Sequence, residues 1–176
     1  GGSARTFSRK GLCRILESCG VSDYSFYYPY PDYKFPTTIY SDEYMPKKGE
    51  LSNNLRNFDR DRVLLFDEKQ VFDQVIEEGE FPLFSNSYLL LIGKKPQTVY
   101  AKFSNDRAKA WAIRTLIHKS AAGTFLVEKQ PNDKEANAHI VHTYQAYEAL
   151  SKRYEGTKIQ MNECKRTPQS IVFPFC

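Results

Sequence analysis

Tyr88-Leu89-Leu90-Leu91-Ile92-Gly93-Lys94-Lys95-Pro96-Gln97-Thr98-Val99-Tyr100-Ala101-Lys102-Phe103 changes character halfway along. Up to Ile92 the apolar residues are nearly continuous, part of a run from Leu83 to Gly93 that suits a buried central strand. Beyond Pro96 apolar and polar residues alternate, the pattern of a strand with one wet face. The basic, turn-rich stretch 93–97 between them predicts a boundary near residue 96. The chain is therefore expected to be α+β, with units at 7–96 and 97–176, each a mainly antiparallel sheet with one or two packing helices.

Downstream of the boundary, 98–104 and 110–117 both alternate, and Asn105-Asp106-Arg107 is expected to join them as a hairpin. Residues 124–129 read as a third strand. A long helix is predicted over 133–154, with Ala136, Ile140, Tyr144, Tyr147, Leu150 and Tyr154 along one face. Two more strands, 159–164 and 170–175, are expected to form a hairpin across Thr167-Pro168.

Upstream, Ser8 is a candidate N-cap for a helix carrying Leu12, Ile15, Leu16 and Cys19 at helical spacing, closed by Gly20. The aromatic run Tyr24-Ser25-Phe26-Tyr27-Tyr28 favours a strand, which Pro29 and Pro31 are expected to stop. Residues 36–41 read as a further extended piece, and 42–62 as a long polar loop. A second helix is predicted from Asp67 to Gly79. Asp67 and Gln70 have capping-box spacing, and Phe66 and Val71 have staple spacing.

Composition narrows the class. Of 176 residues 41% are hydrophobic and 14% aromatic, enough for a packed core and unlike a disordered chain. No stretch approaches the roughly 20 apolar residues of a membrane span. A cytoplasmic location is expected, because Cys13, Cys19, Cys164 and Cys176 form no CxxC pair and suggest neither a disulfide framework nor zinc. The net charge of +4 is uneven: residues 1–96 hold 13 basic and 14 acidic side chains, residues 97–176 hold 12 and 7. That surplus suits a nucleotide but is too dilute to predict nucleic-acid binding. Gly1 and Gly2 read as a tag remnant, so residues 1–6 are expected to be tag and linker.

Two partial resemblances appear. Phe7-Ser8-Arg9-Lys10, Tyr27-Tyr28-Pro29-Tyr30-Pro31-Asp32-Tyr33-Lys34 and Phe84-Ser85-Asn86-Ser87-Tyr88-Leu89 follow in the order of the C-terminal third of a class I S-adenosylmethionine-dependent methyltransferase. The pattern is similar to bacterial methyltransferases of surface-polysaccharide synthesis. The glycine-rich cofactor turn and the acidic ribose ligand of that family have no counterpart here, so no methyl transfer by this chain is implied. Residues 97–176 resemble the N-terminal lobe of a kinase-like phosphotransferase: three strands, a long helix, two strands. Fused methyltransferase–kinase proteins of polysaccharide assembly join such parts in this order. The resemblance makes Lys129, at the end of Val127-Glu128-Lys129, the nucleotide-phosphate lysine, with Glu135 or Glu148 as its helix partner. Asn105-Asp106-Arg107 lacks the glycines of a phosphate loop, and no metal-binding or catalytic loop of the kinase type follows.

The resemblances imply a non-catalytic piece of a larger bacterial protein. Its parent would use S-adenosylmethionine and ATP–Mg, and its partners would be the remaining domains and other polysaccharide-assembly enzymes, with self-association where an apolar face is left bare. The alternatives are a stand-alone interaction module, or carbohydrate binding through the aromatic segment 24–33. Each candidate residue also has an ordinary reading. Lys129 would be an exposed strand-end lysine, and Glu135 a helix-capping residue paired with Asn132. The tyrosines of 24–33 would pack a sheet face. His139 and His142, three apart on the long helix, lack an evident third metal ligand and are read as packing or solvent-facing residues, and His118 has no evident partner. No catalytic residue and no metal site are expected.

Overall fold

The computed structural model describes residues 6–51 and 67–175. The fold is α+β, and the chain divides into two compact units, Gly1–Pro96 and Gln97–Cys176.

In the first unit, helix α1 (Arg9–Ser18) starts where the Ser8 hydroxyl accepts from the Gly11 N–H at 3.1 Å. It ends where Gly20 turns to φ 71°. Val21 N–H then reaches the Leu16 carbonyl at 2.9 Å and Gly20 N–H that of Glu17 at 3.0 Å, the paired bonds of a Schellman motif. Strand β1 (Tyr24–Tyr30) lies between β2 (Thr38–Ser41) and β3 (Leu89–Ile92), antiparallel to both. Residues alternate across a strand, so Tyr24, Phe26, Tyr28 and Tyr30 share one face. That face is covered edge-on by rings: Phe81 on Tyr28 and Tyr40, Tyr88 on Phe26 and Tyr28, and Phe72 on Tyr30, at 5.6–6.0 Å. The covering rings come from α2 (Glu68–Glu77), from α3 (Phe81–Phe84) and from the segment after it. Asp67 Oδ1 accepts from the Gln70 N–H at 3.3 Å at the start of α2. Phe66 of the expected staple and much of the 42–62 loop lie outside the described residues.

Two expectations are corrected in this unit. Pro29 does not end β1: it stands opposite Ile39, while β3 stops opposite Tyr27. A residue lacking an N–H can sit there because the ladder has a neighbour on one side only. The run 83–93 is no buried central strand. Leu83 and Phe84 belong to α3, and β3 is the end strand of the order β3-β1-β2 within this unit. Its side chains are mostly exposed, Ile92 at 64%. An apolar run signals burial against something, and nothing among the described residues supplies the second neighbour.

The second unit is an antiparallel sheet of β4 (Thr98–Phe103), β5 (Ile113–Lys119), β6 (Phe125–Pro131), β7 (Lys165–Arg166) and β8 (Ile171–Pro174), in the order β4-β5-β6-β8-β7. Helix α4 (Asn137–Tyr154) joins β6 to β7 and packs on one sheet face. Ile140 of α4 meets Ile171 and Cys164, with Ile113, Tyr144, Tyr147 and Phe173 around them. Leu150, expected on this apolar face, is 42% exposed.

Three expectations change here. Residues 109–111 form a 3-10 turn, so β5 begins at Ile113 and the β4–β5 connection is longer than a three-residue hairpin. Residues 159–164 are not a strand, because only Lys165 and Arg166 pair with β8. The turn before α4 is capped by Asp133, whose carboxylate accepts from the Glu135 N–H at 2.8 Å, and not by Asn132.

Candidate functional site

The first unit has an open groove of about 490 Å³ where α1 begins. Thr6, Phe7 and Ser8 form one wall. Leu83 and the turn Ser85-Asn86-Ser87-Tyr88 form another, and Tyr33 lies beside that turn. Hydrogen bonds fix the geometry: the Ser87 hydroxyl accepts from the Tyr33 N–H at 3.3 Å, Ser85 donates to the Ser87 carbonyl at 2.9 Å, and Tyr88 donates to the Pro82 carbonyl at 3.0 Å. The Asp32 carboxylate accepts from the Lys34 and Phe35 N–H groups at 2.7 and 3.2 Å, an Asx turn that sets the backbone at Tyr33. Phe26, Tyr27 and Tyr28 are buried, whereas Tyr33 is 67% exposed. The aromatic segment is therefore mostly core, and one ring of it faces the groove.

Next to Ser8, Arg9 turns away to other partners. Its guanidinium lies 2.9 Å from Asp42 and 4.9 Å from the Phe26 ring centre, and Tyr28 donates to the same carboxylate at 2.5 Å. Burial and then the hydrogen bond to Asp42 push the Tyr28 phenol well above its usual range.

In the second unit Lys129 stands opposite Thr115 on one side and Ile171 on the other. It therefore shares the sheet face that α4 covers. Its ammonium is 5.6 Å from the Phe173 ring centre. Burial pushes the Cys164 thiol up, and the Lys129 charge acts against that shift. Tyr144 of α4 is raised by burial first, then by the Glu148 charge. Lys129 and the Tyr144–Glu148 pair thus sit around the same buried cysteine. Glu135 is exposed in the 3-10 turn that precedes α4. Among the described residues neither glutamate forms an ion pair with Lys129.

The opposite sheet face carries a network that single-strand reasoning missed. Thr98 Oγ1 lies 3.0 Å from His118 Nδ1, and His118 Nε2 lies 2.9 Å from Glu128 Oε2. An ionised Glu128 only accepts, so His118 Nε2 carries the proton that lies between them. Burial alone would raise Glu128, but hydrogen bonds from Gln130, Ser170 and His118 outweigh it and hold the carboxyl below the usual range. Gln130 is in turn fixed by Arg114 at 2.8 Å. These residues meet only through strand register, so no spacing along the chain could have announced them. His139 packs edge-on against Trp111 at 5.1 Å. Among the described residues no group of three His, Cys, Asp or Glu side chains could hold a metal, and no helix is long and apolar enough to cross a membrane.

The chain matches no protein-family model, no curated protein and no solved structure.

Proposed function

We propose that this chain is a non-catalytic part of a larger bacterial protein of cell-surface polysaccharide synthesis. Its first unit completes a methyltransferase-type sheet, and its second is half of a nucleotide-binding cleft. The observation that carries the reading is the free edge of β3. Leu89, Leu91 and Ile92 are 40%, 38% and 64% exposed on a strand paired only with β1 within its unit. A bare apolar edge of this kind is a liability unless another strand pairs with it, and the neighbouring strand of a methyltransferase sheet would do so. The second half rests on a third strand bearing Lys129 on the face covered by a long helix, with β8 paired to that strand.

The test is sedimentation velocity of this chain over a range of concentrations, with titrations of S-adenosylmethionine and ATP–Mg followed by thermal shift. Concentration-dependent association that Leu91→Lys suppresses is the expected result, together with no shift by S-adenosylmethionine and little or none by ATP–Mg. A chain that stays monomeric throughout would favour a stand-alone interaction module. Stabilisation by S-adenosylmethionine would show that the cofactor site is present after all and end the non-catalytic reading.

A further inference from the structure

We propose that the groove at the start of α1 binds a neutral saccharide. The inference rests on the reading above and names the ligand class that its first unit holds, but the argument comes from the groove's lining. In a chain with 26% charged residues, the wall residues are serine, threonine, asparagine, tyrosine, phenylalanine and leucine, with no charged side chain among them. Arg9, next in the chain after Ser8, is engaged with Asp42 instead. An anionic ligand would want a cation, or a helix start with its N–H groups free. Here Ser8 occupies the Gly11 N–H, one of the first-turn donors, and Lys34 Nζ lies 5.9 Å from the Tyr33 ring centre, so the glucuronate arm of the experiment below reads any preference for an anion.

What the lining offers is hydroxyl chemistry of both signs. The Ser8 and Ser87 oxygens each accept a backbone N–H and keep their own proton to donate. The Ser85 hydroxyl donates to a carbonyl and keeps its lone pairs. The Asn86 amide makes no hydrogen bond among the described residues, so it presents both a donor pair and an acceptor. A sugar hydroxyl donates and accepts at one atom and matches such a set. The apolar C–H face of a pyranose ring, in turn, matches an exposed aromatic, and Phe7 and Tyr33 are 50% and 67% exposed. Tyr33 is held against the turn by its own backbone bond to Ser87, so ring and hydroxyls are presented together.

The experiment is amide NMR of the whole chain, titrated separately with galactose, N-acetylglucosamine, glucuronate and adenosine. Weak binding, with dissociation constants on the order of 1–10 mM, is expected for the two neutral sugars. Shifts should gather at Tyr33 and at residues 85–88. Tyr33→Ala should weaken binding about fivefold by removing the ring contact. Asn86→Ala should weaken it as well, and both variants should leave the resonances of α1, β1 and β2 in place, which reports that the first unit folds. Binding of glucuronate or adenosine at these residues more tightly than either neutral sugar would overturn the proposal. So would the absence of shifts there with any neutral sugar. Failure of all sugars with intact self-association through β3 would remove this inference and leave the reading of the first unit standing. Loss of the self-association with sugar shifts retained would do the reverse.

Discussion

Asp42 ties three elements of the first unit together, because Arg9 from α1 and Tyr28 from β1 both bind the carboxylate that follows β2. Tyr28 is fully buried, so Tyr28→Phe leaves that carboxylate one donor short and should cost roughly 1–2 kcal/mol in denaturant unfolding at pH 7. The same bond gives a pH signature. The Tyr28 phenol is raised in the folded protein, while in the unfolded chain it ionises near about 10. Its contribution is therefore complete below about pH 10 and lost as pH rises through the folded value. Melting temperatures measured from pH 8 to 11 should fall more steeply for the parent than for Tyr28→Phe. Glu128 has the opposite sign: its folded value lies below the ordinary 4.5, so its contribution is present above that pH and lost as pH falls through the depressed value. His118→Ala removes one of the bonds responsible and should flatten the acid limb of the stability curve. Neither network could be read from the chain, since Tyr28 and Asp42 lie 14 residues apart and His118 and Glu128 10 apart. Ser8 and Gly20 were legible because a cap needs only its own helix.

Elements with strong internal signals form where the residues indicate. Helix α1 has its cap and its left-handed glycine, and α4 has Ile140, Tyr144 and Tyr147 at helical spacing facing the core. Ile140→Ala should destabilise the protein by roughly 2–4 kcal/mol, since the site is 5% exposed and wedged between Ile171 and Cys164. Chemical denaturation would measure it. The strands were less legible. Alternation marks a strand but does not say where pairing stops, so β5 starts later than expected and residues 159–164 stay unpaired. The run ending at Ile92 misled for a different reason. Hydrophobicity reports what a strand would bury, and β3 has a partner on one side only within its unit. Leu91→Lys, on that edge, should reduce association while changing the melting temperature by little, because a side chain 38% exposed loses few contacts.

At the scale of the whole chain the two units differ in chemistry. The first has its charge nearly balanced and a groove without charged walls, and the second carries the basic surplus and Lys129. Binding at a hundred times the dissociation constant would stabilise a domain by about 2.7 kcal/mol, a shift that is easily seen. ATP–Mg is expected to produce far less, because no glycine-rich turn closes the β4–β5 connection. A clear ATP–Mg shift that disappears in Lys129→Ala would assign the phosphate role to that lysine. The α+β class was legible from the change of pattern at Gly93, and the groove was not, since its walls come from segments about 50 and 80 residues apart. The chain's single tryptophan has a use of its own here. Trp111 sits in the loop before β5 with the His139 ring 5.1 Å from its indole, so its emission depends on that contact with α4. The protein thus carries a built-in fluorescent reporter of whether that loop stays against α4, readable in dilute solution without any label.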